Sequence, residues 1–246
     1  MPRFFVKNEN LSAGTVTVNG DDAWHIARSL RMAVGEEITV CDEDGNEHIC
    51  VLEKITDEAA VASVKKTVRA KGEMPHRVVL YQALPKGDKM DYIVQKAVEF
   101  GVCSIVPFLS ERCVSRPDDK ALEKKRTRWQ RIALEAAKQC GRGVIPTVEG
   151  AVTYEKMLSE TAEHPLCLFC YEGEGTLPLK EVLKNSSLKE GDTVSVVVGS
   201  EGGFSEKEAE KAKEAGAAMC GLGERILRSE SASGFVLACI SYEFEL

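Results

Sequence analysis

No stretch of this 246-residue chain stays apolar for long enough to cross a bilayer. Its start, Met1-Pro2-Arg3-Phe4-Phe5, has no apolar core followed by a small-residue cleavage site, which argues against a secretory leader. A cytoplasmic address is the expectation. The nine cysteines fit it, because an odd count in such a chain reads as reduced thiols rather than a disulfide framework. Cys167 and Cys170 form the one Cys-x-x-Cys, inside the apolar run 166–171. On a strand these positions face opposite sides and do not readily close on one ion. A zinc site needs four ligands, and with no second pair no metal is expected. Internal repeats and low-complexity segments are missing as well.

What is present is the composition of a globular protein, 43% hydrophobic and 29% charged, long enough for one large or two ordinary domains. The net charge of −7 excludes an indiscriminate coat for nucleic acid. Its distribution is uneven: between Arg112 and Arg142 stand ten Lys/Arg against four acids. Such a run alone favours a solvated helix face over a patch that contacts phosphates.

To about residue 72 the chain reads mostly as short strands. Residues 4–6, 15–18 and 61–68 are β-prone, and 38–41 and 48–52 flank Asp44-Gly45, a hairpin signal. Asp21-Asp22 offers N-cap chemistry for a helix running through Trp24, Ile26, Ala27 and Leu30. These elements suggest a small barrel, and 70–75 reads as a linker. From residue 77 strand and helix alternate. Strands are expected at 78–81, 105–108, 166–171, 194–198 and 219–222; helices at 88–100, 118–140, 179–183 and 205–215, with one more at the end. Continuous apolar strands between helices indicate a parallel sheet covered on both faces.

Two glycine-rich loops follow buried strands. Val198-Gly-Ser-Glu-Gly-Gly-Phe204 lies between a strand and a helix, where α/β sheets bind ligands. Gly199, Gly202 and Gly203 would let backbone approach a ligand closely. The spacing is not Gly-x-Gly-x-x-Gly, and no Gly-Lys-Ser/Thr follows, which excludes a nucleoside triphosphate loop. Taken alone, a plain glycine-rich turn explains it equally well. Gly221-Leu-Gly-Glu-Arg-Ile-Leu-Arg228 is the second loop, with Ser229 as the expected cap of the last helix and Arg228 aimed at whatever both loops hold. Without the neighbouring loop, a structural salt bridge would be the better role for Arg228.

In order along the chain stand Gln82-Ala-Leu-Pro-Lys-Gly-Asp-Lys89, Gln95-Lys-Ala-Val-Glu-Phe-Gly-Val102, Pro107 with Ser110-Glu-Arg112, Arg128-Trp-Gln-Arg-Ile132, Glu135-Ala-Ala-Lys-Gln-Cys-Gly-Arg142, Gly199–Phe204, and Leu222-Gly with Ile226-Leu-Arg228. Together with Arg3-Phe4-Phe5 and His25–Arg31 they resemble the RsmE family of ribosomal RNA small-subunit methyltransferases, in the knotted SPOUT superfamily. The resemblance spans essentially the whole chain. It departs at Ser229 and Ser231, where the family usually has threonines, and at Cys140, often serine.

The resemblance implies an α/β protein: a PUA-like, RNA-gripping β-barrel domain (residues 1–72), then a SPOUT methyltransferase domain (73–246) with a C-terminal trefoil knot. It implies S-adenosylmethionine as cofactor, N3 of one uridine in 16S rRNA of the small ribosomal subunit as target, and a homodimer paired through the last helix. That helix has no charged residue from Ser231 to Tyr242, and Phe235, Leu237, Ile240 and Tyr242 point in several directions. The expected cofactor contacts are Gly199, Ser200, Glu201, Gly202, Leu222, Gly223, Ile226 and Leu227, with Tyr171 and Glu172 walling the adenosine. Arg228 is the candidate to stabilise charge on the uracil, and no residue is assigned as base. For RNA the candidates are Arg3, Arg28, Arg31, Lys86, Lys89, Arg112 and Arg142. Two rival classes remain: a noncatalytic RNA-binding or ribosome-assembly factor, and a nicotinamide-dependent oxidoreductase, whose glycine fingerprint and following acid are not seen.

Overall fold

The computed structural model describes residues 1–246. They group into two compact units, one of residues 1–73 with 137–145, the other of 74–136 with 146–246.

In the first unit, β1 (Arg3–Phe5), β2 (Leu11–Ser12), β3 (Thr15–Asn19), β4 (Glu37–Cys41), β5 (Asn46–Ile55) and β6 (Ala59–Arg69) form one sheet in the order β1-β4-β5-β6-β3-β2. Every pairing is antiparallel except β1 on β4. Alternation along the strands sends Val16, Val18, Ile38, Val40, Cys50 and Leu52 inward, where they pack with Phe4 and Ile26. The β4–β5 hairpin turns at Gly45, whose φ of 76° is left-handed. The helix after β3 differs from the sequence reading. Its regular part, α1, is only Asp21–Trp24, capped by Gly20 without a side-chain bond, and His25–Ser29 continue as a π-helical turn. Asp21 and Asp22 thus lie in the first turn and not at the cap. Arg31 follows with φ 51°, the one non-glycine residue in the left-handed region.

Residues 137–145 join this unit through ionic contacts. Lys138 Nζ donates to Asp22 Oδ1 at 2.7 Å. Glu73 accepts from the Arg142 guanidinium and, at 3.2 Å, from the backbone N–H groups of Gly143 and Val144.

The second unit holds β7 (Arg77–Ala83), α2 (Lys89–Glu99), β8 (Ser104–Leu109), α3 (Asp119–Cys140, its last turn in the first unit), β9 (Thr147–Val148), β10 (Val152–Thr153), α4 (Tyr154–Thr161), β11 (Leu166–Cys170), β12 (Leu177–Pro178), α5 (Leu179–Lys184), β13 (Thr193–Val198), α6 (Glu206–Glu214), β14 (Ala218–Gly221) and α7 (Ser229–Phe244). The sheet order is β10-β8-β7-β13-β11-β14-β12 with β9 beside β8, and every pairing is parallel. Val194, Val196, Val197 and Val198 of β13 are buried, as a strand with helices on both faces requires. Because all strands run one way, the carboxyl ends of β11, β13 and β14 lie together at one edge.

Candidate cofactor site

At that edge three loops enclose a cavity of about 800 Å³. The loop after β13, Gly199–Phe204, is a tight turn in which Gly203 N–H donates to Ser200 O at 3.0 Å and Gly203 takes φ 63°. Phe204 anchors it in the core, with its ring centroid 4.3 Å from that of Phe169 and stacked on Phe108 at 6.3 Å. The segment after β11 begins with Tyr171, whose N–H donates to Cys220 O at 3.0 Å. After β14, Gly221–Arg228 complete the rim and leave Ile226 82% exposed.

All ten cofactor candidates and Arg228 line this cavity, and so do Lys89 and Arg112 from the RNA set. The sequence reading missed Gly173, Thr176, Phe204, Glu224 and Arg225, which line it too. Gly173 and Thr176 carried no signal, because the segment between β11 and α5 has no periodicity or motif.

The glycines are required for a different reason than the sequence suggests. A Cβ on Gly202 would stand 2.9 Å from Arg112 Cβ and 3.2 Å from Arg112 O, so Gly202 makes room for a neighbouring loop. The two loops are also bonded: Arg112 Nη1 donates to Gly202 O at 3.1 Å, and Ser200 Oγ to Arg112 O at 3.4 Å. A Cβ on Gly199 would stand 3.1 Å from Gly203 Cα.

Ser229 is not the cap of the last helix. Arg228 holds the cap position with extended φ and ψ of −64° and 152°, and Ser229 is the first helical residue. Its hydroxyl is drawn inward instead, donating to Gly199 O at 2.6 Å. Arg228 is exposed on the cavity wall and no carboxylate engages it.

Lys89 Nζ lies 2.8 Å from Glu201 and 3.3 Å from Glu230. Burial pushes the Glu201 carboxyl up. The Lys89 contact and backbone N–H groups, that of Lys86 among them, outweigh this and hold it below the usual carboxylate range. Glu201 is therefore an ionised, paired group.

The RNA candidates separate. Arg28 and Arg31 of the first unit are exposed, Arg28 in an ion pair with Asp57 at 2.6 Å. In the second unit Lys86 and Arg112 are exposed. Arg142 is a correction: it is 4% exposed and bound to Glu73, so it cannot present its charge to phosphate. Arg3 is a second: its guanidinium is largely covered and sits 2.8 Å from Glu47 while bonding the Cys41 sulfur. Several other cations of the run 112–142 are engaged as well, Arg116 on backbone carbonyls, Arg126 on Glu123, Arg128 on Asp91 and Lys138 on Asp22.

Residues 72–241 match the RNA methyltransferase domain family, and residues 18–65 match the RNA methyltransferase PUA domain. Ribosomal RNA small subunit methyltransferase E of Bacillus subtilis is 35% identical over 100% of this chain and 98% of its own. The enzyme of that name from Neisseria gonorrhoeae, solved bound to S-adenosylmethionine, superposes with a TM-score of 0.84 at 31% identity, covering 99% of this chain and 98% of that one. A methyltransferase from Legionella pneumophila, solved with bound S-adenosylmethionine, superposes with a TM-score of 0.85 at 27% identity over 98% and 96% of the two chains. The chain belongs to the ribosomal RNA small subunit methyltransferase E family, RsmE.

Proposed function

We propose that this chain methylates N3 of a uridine in the 16S RNA of the small ribosomal subunit, holding S-adenosylmethionine in the cavity at the ends of β11, β13 and β14. The observation that carries the reading is the convergence of three separate loops on one cavity of about 800 Å³, within the range for small-molecule sites. Its walls fit the cofactor. Ile226 and Leu222 offer apolar cover to an adenine, and the carboxylate of Glu172 suits a ligand with a sulfonium and an ammonium.

When bound, the cofactor supplies an electrophilic methyl group, so the protein's task is chiefly placement. Uracil N3 carries a proton that must leave as the methyl arrives. Arg228, on the cavity wall with no carboxylate engaging it, would stabilise the negative charge that develops on O2 or O4. Glu201 is unsuited to take the proton, since an ionised carboxylate held by Lys89 is a weak base. RNA is held by Arg28 and Arg31 of the first unit and by Lys86 and Arg112 of the second, whereas Lys89 is taken up by Glu201 and Glu230. The protein works in the cytoplasm, where small subunits are made.

The C-terminal segment is read as knotted. β13 and β14 flank β11, and α7 returns beside α2 and β13, an arrangement that accommodates a threaded C-terminus. A homodimer paired through α7 completes the proposal. Leu237 and Ile240 are buried within the unit, whereas Phe235 and Tyr242 are 43% and 72% exposed. Sedimentation should give twice the 26.9 kDa chain mass.

Calorimetry tests the cofactor assignment. Titration with S-adenosylmethionine should give one site per chain and titration with NAD none. NAD binding would favour an oxidoreductase, and binding of neither would favour a noncatalytic RNA-binding factor.

A further inference from the structure

Gln82, next to last in β7, is 0% exposed, in a strand whose other inner residues are apolar. An amide is costly to bury without partners, and a leucine would fill the space. This amide is fully used. Nε2 donates to Ser229 Oγ and Ala83 O at 3.0 Å and reaches Gly199 O at 3.3 Å. Oε1 accepts from Ser233 Oγ at 2.5 Å. The directions agree: Ser229 Oγ gives its own proton to Gly199 O at 2.6 Å and so is left to accept from Gln82.

The network joins three distant segments. Gly199 begins the loop after β13, Ser229 directly follows Arg228, and Ser233 lies one turn further along α7. With two donors on it, the Gly199 carbonyl is turned into the core, and the planar peptide fixes the start of the loop. Gln82 does not line the cavity.

We propose that Gln82 is a positioning residue for methyl transfer, locking the cofactor loop at Gly199 to the start of α7 at Ser229 and thereby setting Arg228 against the bound cofactor. The proposal rests on the cavity being the cofactor site. The position demands a neutral group that both donates and accepts. A glutamate there keeps one donor and one acceptor when protonated, but when ionised turns only acceptors toward Gly199 O and Ser229. The groups touching Gln82 belong to Ala83, Gly199, Ser229 and Ser233, none of which titrates. Nearby charges, Lys89 with Glu201 and Glu230, are common to wild type and variant.

The test is S-adenosylmethionine calorimetry on the full-length wild type and on Gln82→Met, Gln82→Glu and Ser233→Ala, each checked for native circular dichroism. Steady-state kinetics on small subunits accompany it. Gln82→Met should bind cofactor about tenfold more weakly, the scale of one or two lost hydrogen bonds, and lose kcat with little change in KM for RNA. Gln82→Glu should be weak at pH 8 and recover as its buried carboxyl protonates, a recovery the wild type does not show. Should neither variant fold, Ser233→Ala, which removes the donor to Gln82 Oε1 and the bond to Ser229 O, should still weaken binding about threefold. Wild-type affinity in a folded Gln82→Met or Ser233→Ala, or a pH-independent loss in Gln82→Glu, would overturn the proposal. A wild type that binds no S-adenosylmethionine would instead refute the cofactor reading beneath it.

Discussion

Lys89 Nζ sits 2.8 Å from Glu201 Oε1 and 3.3 Å from Glu230 Oε2, so one ammonium ties the loop after β13 to the first turn of α7. The Glu201 carboxyl, although partly buried, is held below its usual range mainly by Lys89. A depressed carboxyl keeps its pair intact at neutral pH and loses it as pH falls through the depressed value. Lys89→Met should therefore weaken cofactor binding several-fold at pH 7, and its affinity should begin to fall at a higher pH than that of the wild type. Calorimetry as a function of pH reads both effects. Superimposable curves would remove the pair from the site.

Gly202 packs against Arg112, so that a side chain there would bring its Cβ within 2.9 Å of Arg112 Cβ. Gly202→Ala should displace the loop and weaken cofactor binding about tenfold, the lower end of an overpacking cost. Adding Arg112→Gly removes one of the two clashes and should restore part of the affinity. A double variant no better than Gly202→Ala would show that the glycine instead faces ligand.

Asp42 in the first unit is 8% exposed. It accepts from the Asp44 and Asn46 N–H groups and the Asn46 amide at 2.8 to 2.9 Å, with His48 Nε2 at 3.0 Å. Burial raises its carboxyl, but these bonds prevail and hold it below 3.8. Asp42→Ala should cost about 2 kcal/mol at neutral pH. Urea unfolding should show that gap constant down to about pH 4 and closing below it, as the wild-type carboxylate protonates. A gap that persists at low pH would contradict this assignment.

Arg31 and Arg112 are exposed, and Arg142 is bound to Glu73. Replacing Arg31 and Arg112 by alanine should lower the slope of log affinity for RNA against log salt by about two. Arg142→Ala should leave the slope unchanged and destabilise the protein by about 2 kcal/mol, since it strands Glu73. Filter binding across a salt series, with thermal melting, separates the two outcomes.

The alternation of strands and helices after residue 77 was legible because the strands between the helices are continuous apolar runs. Helix α4, Tyr154–Thr161, was not, although the shorter α5 was. Strands β9, β10 and β12 have two residues each and exist only as edge pairings. The cavity-lining loops could be read from their glycines, yet why Gly202 is a glycine could not, because Arg112 is remote in sequence. Gln82 stood inside a motif with no visible task, its partners at Gly199 and Ser229 lying 117 and 147 residues away. Arg142 looked like one more cation in a basic run until Glu73 was placed beside it.

Delivery of a methyl group from this cavity to one uridine N3 is what the cavity, Arg228 and the two glycine loops are together proposed to achieve. Its most direct test is incubation of the protein with methyl-labelled S-adenosylmethionine and small ribosomal subunits lacking the modification, followed by nucleoside mass spectrometry of the 16S RNA. Label should appear in 3-methyluridine alone, approaching one per subunit, and fall steeply with Arg228→Ala while cofactor binding is retained. Label in any other nucleoside, or none despite cofactor bound at full occupancy, would contradict it.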